Sequence, residues 1–362
     1  GGPALGAKHG SRRTGASHGA LEDGRGANPG LGLMVDPATY GGIANGEYQP
    51  PVPIRPAPIW AWPPRPVAAA RWFITGLLYP WVGFYLVLSV VIWRWLLPSE
   101  ETMETLRVGW ILQIWVRNLA LLLLVAGGLH WSLHMRRRQD RDFKFNGRWP
   151  AESRKFLWRS QVRDNMFWTL VSGGFFWTAY ESLTHWAYAS GLVGRPDWAS
   201  NPVYVFLMAT LGVVLWSTAH FWANHRLLHW RPLYRIAHEL HHRNVSPGPW
   251  SGISMHPIEH FIYFSIFLLW WVVPVHPIVI LMCGMYQGPG PAPSHSGFER
   301  VHLVGRWSVP AGDLFHQLHH RYFEVNYGNT QAPIDNVTGT WHDGTSEAHE
   351  RLKGRRRADQ VA

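Results

Sequence analysis

Fourteen of the 21 histidines fall between His220 and His320, and eight of them form three short patterns. These are His225-Arg-Leu-Leu-His229, His238-Glu-Leu-His241-His242 and His316-Gln-Leu-His319-His320. Residues three and four apart share one face of a helix, so each pattern turns two or three imidazoles in one direction. Neutral imidazole is a good ligand for transition metals. Eight donors exceed what one ion uses, so the patterns predict two ions. The second pattern also satisfies H-E-x-x-H, in which Glu239 would be the general base of a zinc hydrolase. Gln317 takes that place in the third pattern, so the shared feature is the three histidines and not the acid. A hydrolytic zinc with about three ligands would leave the other imidazoles unexplained. A non-catalytic metal or haem carrier is the remaining reading, and it expects ligands strung along a transmembrane path. Among the other histidines, His130, His185 and His276 read as packed or interfacial residues, and His220 as a further ligand candidate at a helix end.

The elements that carry these patterns read as membrane helices. Only 15% of the 362 residues are charged, against roughly 25% in a soluble domain. Phe73–Trp93, Asn118–Met135, Pro202–Asn224 and Phe261–Phe298 contain no Asp, Glu, Lys or Arg. About 18 apolar residues suffice to cross a bilayer. Helices are expected at about 72–97, 110–135, 165–193 and 202–224. The last uncharged run is too long for one crossing and holds Pro274 and Pro277 at its middle, which predicts two half-helices, 258–273 and 277–287, dipping into the membrane and returning. Arg136–Arg163 holds ten Lys or Arg against three acids, whereas Pro98–Arg107 holds Glu100, Glu101 and Glu104 against one Arg. The positive-inside rule therefore places 136–163, the N-terminus and the histidine patterns on the cytoplasmic side.

The formal net charge of +10 comes from Lys and Arg gathered beside these runs, so it argues for topology and an acidic docking partner, not for nucleic acid. The one cysteine, Cys283, excludes an intramolecular disulfide and a cysteine zinc site. Thirteen of the 36 glycines lie in the first 50 residues and eight of the 27 prolines in Pro50–Pro66, a composition that predicts disorder over 1–66. No signal-peptide pattern is read there. The chain opens on Gly–Gly, and Met34 is a candidate native start that would set residues 1–33 apart. Expected units are thus 1–66, a helical pair with its basic loop over 67–164, a catalytic unit over 165–345, and a basic tail over 346–362.

In their order and spacing the three patterns resemble the fatty acid hydroxylase and sterol desaturase superfamily of membrane di-iron enzymes. Leu233-Tyr234-Arg235, His256-Pro257-Ile258-Glu259, His295-Ser296-Gly297 and Asn326-Tyr327-Gly328 extend the resemblance, which covers roughly 165–345. Ile334-Asp335 stands where that family commonly has Trp-Asp, and Gly288–Pro293 is an unusually rigid approach to His295; either feature puts the third ligand set in question. The resemblance implies an all-α fold: a multi-pass membrane helical bundle of about four transmembrane helices plus a re-entrant hairpin, capped by a cytoplasmic histidine-rich di-metal domain. It implies that His225, His229, His238, His241, His242, His316, His319 and His320 bind two Fe ions, with His295 as a ninth ligand. His256 and His260 either ligate or orient a ligand. Glu181, the one charge in its expected helix, is either a functional carboxylate or a structural acceptor for Arg or Trp donors.

The activity so implied is O2-dependent hydroxylation or desaturation of a lipid C–H bond, of sterol or fatty-acyl/sphingolipid type. The metal supplies the chemistry, and the protein supplies orientation, an apolar channel and exclusion of water. The sequence carries no haem-binding segment, flavin fingerprint or cysteine cluster. Electrons are therefore expected from an external donor, a ferredoxin or a b-type cytochrome with its reductase, with Arg136–Arg163 as a docking face. Zn is expected to substitute for Fe on expression.

Overall fold

The computed structural model describes residues 41–44, 47–305 and 307–361. The expectations for 1–40, Met34 included, lie outside the described residues.

Helices α1 (Pro66–Trp95), α2 (Val108–Met135) and α4 (Pro202–Leu228) are each long and apolar enough to cross a membrane. The fourth expected crossing is helix α3 (161–189), whose inward face carries the buried polar residues Thr178, Glu181, Ser182, Thr184 and His185 and is correspondingly less apolar. Local sequence sets the helix ends. Pro66 and Pro202 occupy first turns, where a missing N–H costs nothing, and Asn201 Oδ1 accepts from Val203 N and Tyr204 N. Helix α1 breaks at Tyr79, whose ψ of 135° leaves helical space ahead of Pro80.

After α4 comes α5 (231–242), then the expected hairpin: α6 (Pro257–Phe264), a tighter 3-10 stretch (Ser265–Trp271), and α7 (Pro277–Gln287). Both arms start on a His-Pro pair. His256 Nδ1 accepts from Ile258 N at 3.2 Å and His276 Nδ1 from Ile278 N at 3.3 Å, so each imidazole caps its helix. Helix α7 forms the centre of the bundle, with Ile280, Leu281, Met282 and Cys283 fully buried among α1, α3 and α4. Its one glycine lets α3 approach closely, since a Cβ at Gly284 would sit 2.6 Å from Trp177 Nε1. Beside this contact, Arg117 of α2 pairs with Glu181 of α3 in a buried ion pair, and Asn118 Nδ2 donates to the same carboxylate at 3.1 Å.

Two features depart from the expected all-helical cap and unfolded N-terminal segment. An antiparallel hairpin, β3 (Arg300–Val304) with β4 (Trp307–Pro310), lies between His295 and the last histidine pattern. A minimal ladder, β1 (Ile43–Ala44) with β2 (Glu47–Tyr48), precedes an extended proline-rich strap. Within 47–66, part of the stretch expected to be unstructured, Ile54 N donates to Asp343 O at 2.8 Å, Ala57 N to Thr330 O at 2.9 Å and Trp60 Nε1 to Gln331 O at 2.7 Å. An extended proline-rich backbone has no internal hydrogen bonds, so its N–H groups are free to satisfy carbonyls of a neighbouring segment. Helices α8 (Leu314–Tyr322) and α9 (Ser346–Val361) complete the chain.

Candidate metal centre

The end of α4, the whole of α5, the loop after α7 and the helix α8 bring nine histidines into two groups. His225, His229, His238, His242 and His319 form one, and His241, His295, His316 and His320 the other; within each, the ligand atoms lie within 4.8 Å of one another. The two H-x-x-H-H patterns are divided between the groups. On α5, His238 and His242 face the first group and His241 the second; on α8, His319 faces the first and His316 and His320 the second. The i, i+4 pairs thus share a face as helical geometry requires, and the remaining histidine turns toward the neighbouring group.

The donor sets fit metal ions. In the five-histidine group, the Nε2 atoms of His229, His242 and His319 stand 3.1–3.2 Å apart. In the four-histidine group, His316 Nε2 is 3.0 Å from His295 Nε2 and 3.1 Å from His320 Nε2. Donors about 2.1 Å from a shared ion and at right angles to one another would be about 3.0 Å apart. The outer nitrogens fix the tautomers. His225 Nδ1 donates to Tyr327 O at 2.7 Å, His319 Nδ1 to Val325 O at 2.6 Å, and His295 Nδ1 to Pro291 O at 3.0 Å. A carbonyl only accepts, so each Nδ1 holds the proton and each Nε2 presents a lone pair inward. His225 Nε2 and His238 Nε2 are buried without a protein partner, an arrangement a cation resolves.

The imidazoles are held neutral. Burial, and then the neighbouring His225 and Arg226, push His229 down to about 2; burial pushes His295 down to about 4. Burial and mutual repulsion hold His241, His242, His316, His319 and His320 well below the ordinary histidine range. Neutral imidazole is the form that ligates.

Other singled-out residues fall outside both groups. His256 caps α6, and His260 uses both nitrogens, Nδ1 with Ser172 Oγ and Nε2 with Ile253 O, each at 2.9 Å. His220 Nε2 pairs with Ser265 Oγ at 3.0 Å. Glu181 is engaged by Arg117 and Asn118. Glu239 is exposed, on the face of α5 away from the imidazoles.

The acid that does touch a ligand is Glu259, whose Oε1 accepts from His238 Nδ1 at 2.8 Å. Sequence reasoning noted His-Pro-Ile-Glu only as a motif; a lone acid at the start of an apolar run was the available signal. Asp335 was likewise noted only for its neighbour. It accepts from Tyr327 N at 2.9 Å, Gly328 N at 2.8 Å, Trp222 Nε1 at 3.3 Å and Thr340 Oγ1 at 2.6 Å. It thereby fixes the turn whose Tyr327 carbonyl holds His225. Ile334 in place of Trp leaves that network whole, and the rigid Gly288–Pro293 approach supplies the Pro291 carbonyl that orients His295.

A cavity of about 300 Å³ adjoins one group only. Its wall combines the break in α1, from Gly76 to Val82, with Phe221, Tyr263 and Tyr286, and reaches His241, His295 and His316. None of the five-histidine group lines it. An apolar space ending on metal-ligating nitrogens can hold a hydrocarbon chain or ring against an ion while keeping water out.

Residues 209–340 match the fatty acid hydroxylase family. Methylsterol monooxygenase 1 of Gallus gallus is 29% identical over 180 residues, covering 47% of this chain and 55% of the relative. The Danio rerio protein of the same name is 28% identical over 168 residues, 44% and 53% of the two chains. A Delta(7)-sterol 5(6)-desaturase of Gibberella zeae is 29% identical over 141 residues, 38% of each. The matched stretch thus spans about half the length of the first two relatives and less of the third. No solved structure matches the chain. Residues 209–340, the stretch similar to the fatty acid hydroxylase family, hold all nine clustered histidines.

Proposed function

We propose that the chain is a membrane-bound oxidoreductase that uses O2 and external electrons to hydroxylate or desaturate a lipid C–H bond. The observation that carries this reading is the convergence of nine neutral imidazoles into two groups, one of which ends an apolar cavity. Two iron ions, bound by His225, His229, His238, His242 and His319 and by His241, His295, His316 and His320, would supply the reduction of dioxygen that attack on an unactivated C–H bond requires.

The chain's own residues position and shield. Glu259 and the carbonyls of Tyr327, Val325 and Pro291 hold imidazole tautomers, so donors need not reorganise when an ion binds. Phe221, Tyr263 and Trp81 wall the cavity against water. With five donors, the first group would leave an ion fewer open positions than the second, and it is the second that lines the cavity. The exposed position of Glu239 speaks against a zinc hydrolase, which needs that carboxylate at the metal.

The basic segment 136–163 packs on the histidine unit, through Gln161 Nε2 to Asn244 Oδ1 at 3.0 Å and Arg243 Nη1 to Lys155 O at 3.0 Å. This supports one membrane face for both, which the charge rule makes the cytoplasmic one. An acidic electron carrier, a ferredoxin or a b-type cytochrome, would dock there.

Metal analysis of the detergent-purified chain from iron-supplemented cells tests the reading, beside a His241→Ala/His319→Ala double variant. About two irons per chain, lost in the variant, together with O2-dependent lipid oxidation, is the expected result. Zinc found after expression calls for iron reconstitution before assay. No metal in either protein would overturn the assignment.

A further inference from the structure

Resting on the metal reading above, we propose that His134, near the end of α2, is a positioning residue for His295. It donates a hydrogen bond to the chain leaving His295 and so aims one ligand of the four-histidine group.

Eight of the nine clustered histidines lie on or at the end of α4, α5 and α8, where helical hydrogen bonds set their direction. His295 has no such helix. It follows a single turn, Pro291–Ser294, and precedes β3. The chain entering it is fixed inside that turn, since His295 N donates to Pro291 O and Ser296 N to Pro293 O, each at 3.0 Å. The chain leaving it is fixed from outside. His134 Nε2 donates to Ser296 O at 3.0 Å, and Phe145 N, in the loop after α2, donates to Gly297 O at 3.1 Å. Gly297 has a φ of +84°, and a Cβ there would lie 3.1 Å from Pro247 O, so the path past these two carbonyls suits glycine alone.

Packing alone does not account for an imidazole at position 134. The ring is buried, stacked on His130 at 5.3 Å and met edge-on by Trp149 and Phe298 at 5.6 and 5.9 Å. A carbonyl only accepts, so Nε2 holds the proton. Nδ1 is then a bare acceptor, buried without a protein partner. An apolar side chain would fill the same space and leave no nitrogen unmet. What the imidazole adds is the hydrogen bond to Ser296 O, which has no other donor among the described residues. That bond bears on one metal group only. His295 Nε2 is 3.0 Å from His316 Nε2, and both residues line the cavity. His134 therefore couples α2, outside the stretch that matches the family, to the group at the cavity.

The test measures ferrous-iron affinity, by anaerobic chelator competition on the full chain in detergent, in two backgrounds. His229→Ala leaves the four-histidine group to hold iron, and His320→Ala leaves the five-histidine group. His134→Leu removes the bond. His134→Gln carries an amide N–H with about the reach of Nε2, and His134→Asn the same amide one methylene shorter. In the His229→Ala chain, His134→Leu and His134→Asn should each weaken iron about tenfold, and His134→Gln should hold it to within about twofold. In the His320→Ala chain, none of the three should shift affinity by more than about twofold. Amide exchange of the metal-free chain is the second readout. Over residues 295–299 it should quicken about tenfold in His134→Leu and His134→Asn and stay unchanged in His134→Gln. Should His134→Leu not fold, His134→Asn against His134→Gln makes the same comparison. Equal weakening in both backgrounds, no weakening in the His229→Ala chain, His134→Gln behaving as His134→Asn does, or unchanged exchange over 295–299 would each overturn the proposal alone. An unmodified chain that binds no iron would overturn the metal reading and the proposal with it.

Discussion

Glu259 Oε1 lies 2.8 Å from His238 Nδ1, and both side chains are almost wholly buried. The carboxylate holds His238 in the tautomer that presents Nε2 to the five-histidine group. Partners of this kind typically contribute tenfold to a hundredfold in metal affinity. Glu259→Leu should therefore weaken one ion by about 10–100-fold in chelator competition and leave the other unchanged. Equal weakening of both ions would show that Glu259 supports the fold and not a single site.

The division of donors predicts separable stoichiometries. His320→Ala removes a donor from the four-histidine group alone, and His229→Ala from the five-histidine group alone. Each should lower the metal content measured at limiting metal by about one ion per chain and abolish lipid oxidation. His241→Ala and His319→Ala should each abolish turnover while leaving a membrane-inserted protein. Full activity in any of the four would refute the ligand assignment.

Acid should act on the metal-free chain through these same imidazoles. His295 falls from 6.5 to about 4 on folding because burial disfavours its charged form. Between those values the unfolded chain binds a proton that the folded chain refuses, so stability is full above about 6.5 and declines as pH falls toward 4. Thermal unfolding of metal-free protein should show a lower midpoint at pH 5 than at pH 7.5. The same midpoint at both values would contradict the buried, neutral state.

The Arg117–Glu181 pair should prove structural. Arg117→Met leaves a buried carboxylate without its cation and should cost about 3–5 kcal/mol, whereas Arg117→Met with Glu181→Gln should recover most of the loss. Metal content should stay unchanged in the folded fraction of both variants. Loss of metal from fully folded double variant would return Glu181 to the functional residues.

Asp335→Ala removes the acceptor for two backbone N–H groups, Trp222 and Thr340. It should destabilise the chain by roughly 2–4 kcal/mol and loosen the turn that carries Tyr327 O. Thermal unfolding checks the first effect. Slower metal uptake checks the second, and uptake at the unmodified rate would remove Asp335 from the support of His225.

Eight of the nine histidines were legible because helical periodicity brings i, i+3 and i+4 residues together, the ninth, His295, through the resemblance alone, and the hairpin arms because Pro274 and Pro277 break an uncharged run too long for one crossing. Other features were hidden for physical reasons. Three of the atoms that orient imidazoles are main-chain carbonyls, of Tyr327, Val325 and Pro291, and residue type says little about where a carbonyl points. Helix α3 reads as an apolar crossing until its partner shows that Glu181 faces Arg117 rather than a site. The strap over 47–60 has the composition of an unfolded segment, and its order comes from hydrogen bonds to residues far along the chain. The β3–β4 hairpin is short, and its pairing was not anticipated from the residues around 300–310.

That strap and the wall of the cavity bear on where the functional unit ends. The stretch that matches the family starts at residue 209, yet Leu77, Trp81 and Tyr85 close the cavity from α1, and Gln161 and Asn165 of α3 hold Asn244 just past the second histidine pattern. Ile54 and Ala57 bind residues 343 and 330, joining the two ends of the described chain. The homologous segment is thus a recognisable core but not an excisable one. A fragment cut to 209–340 would keep every clustered histidine and lose one side of the chamber they serve. Chimeras that exchange α1 while retaining the histidine segment would therefore be expected to inherit their metal from one parent and part of their lipid preference from the other.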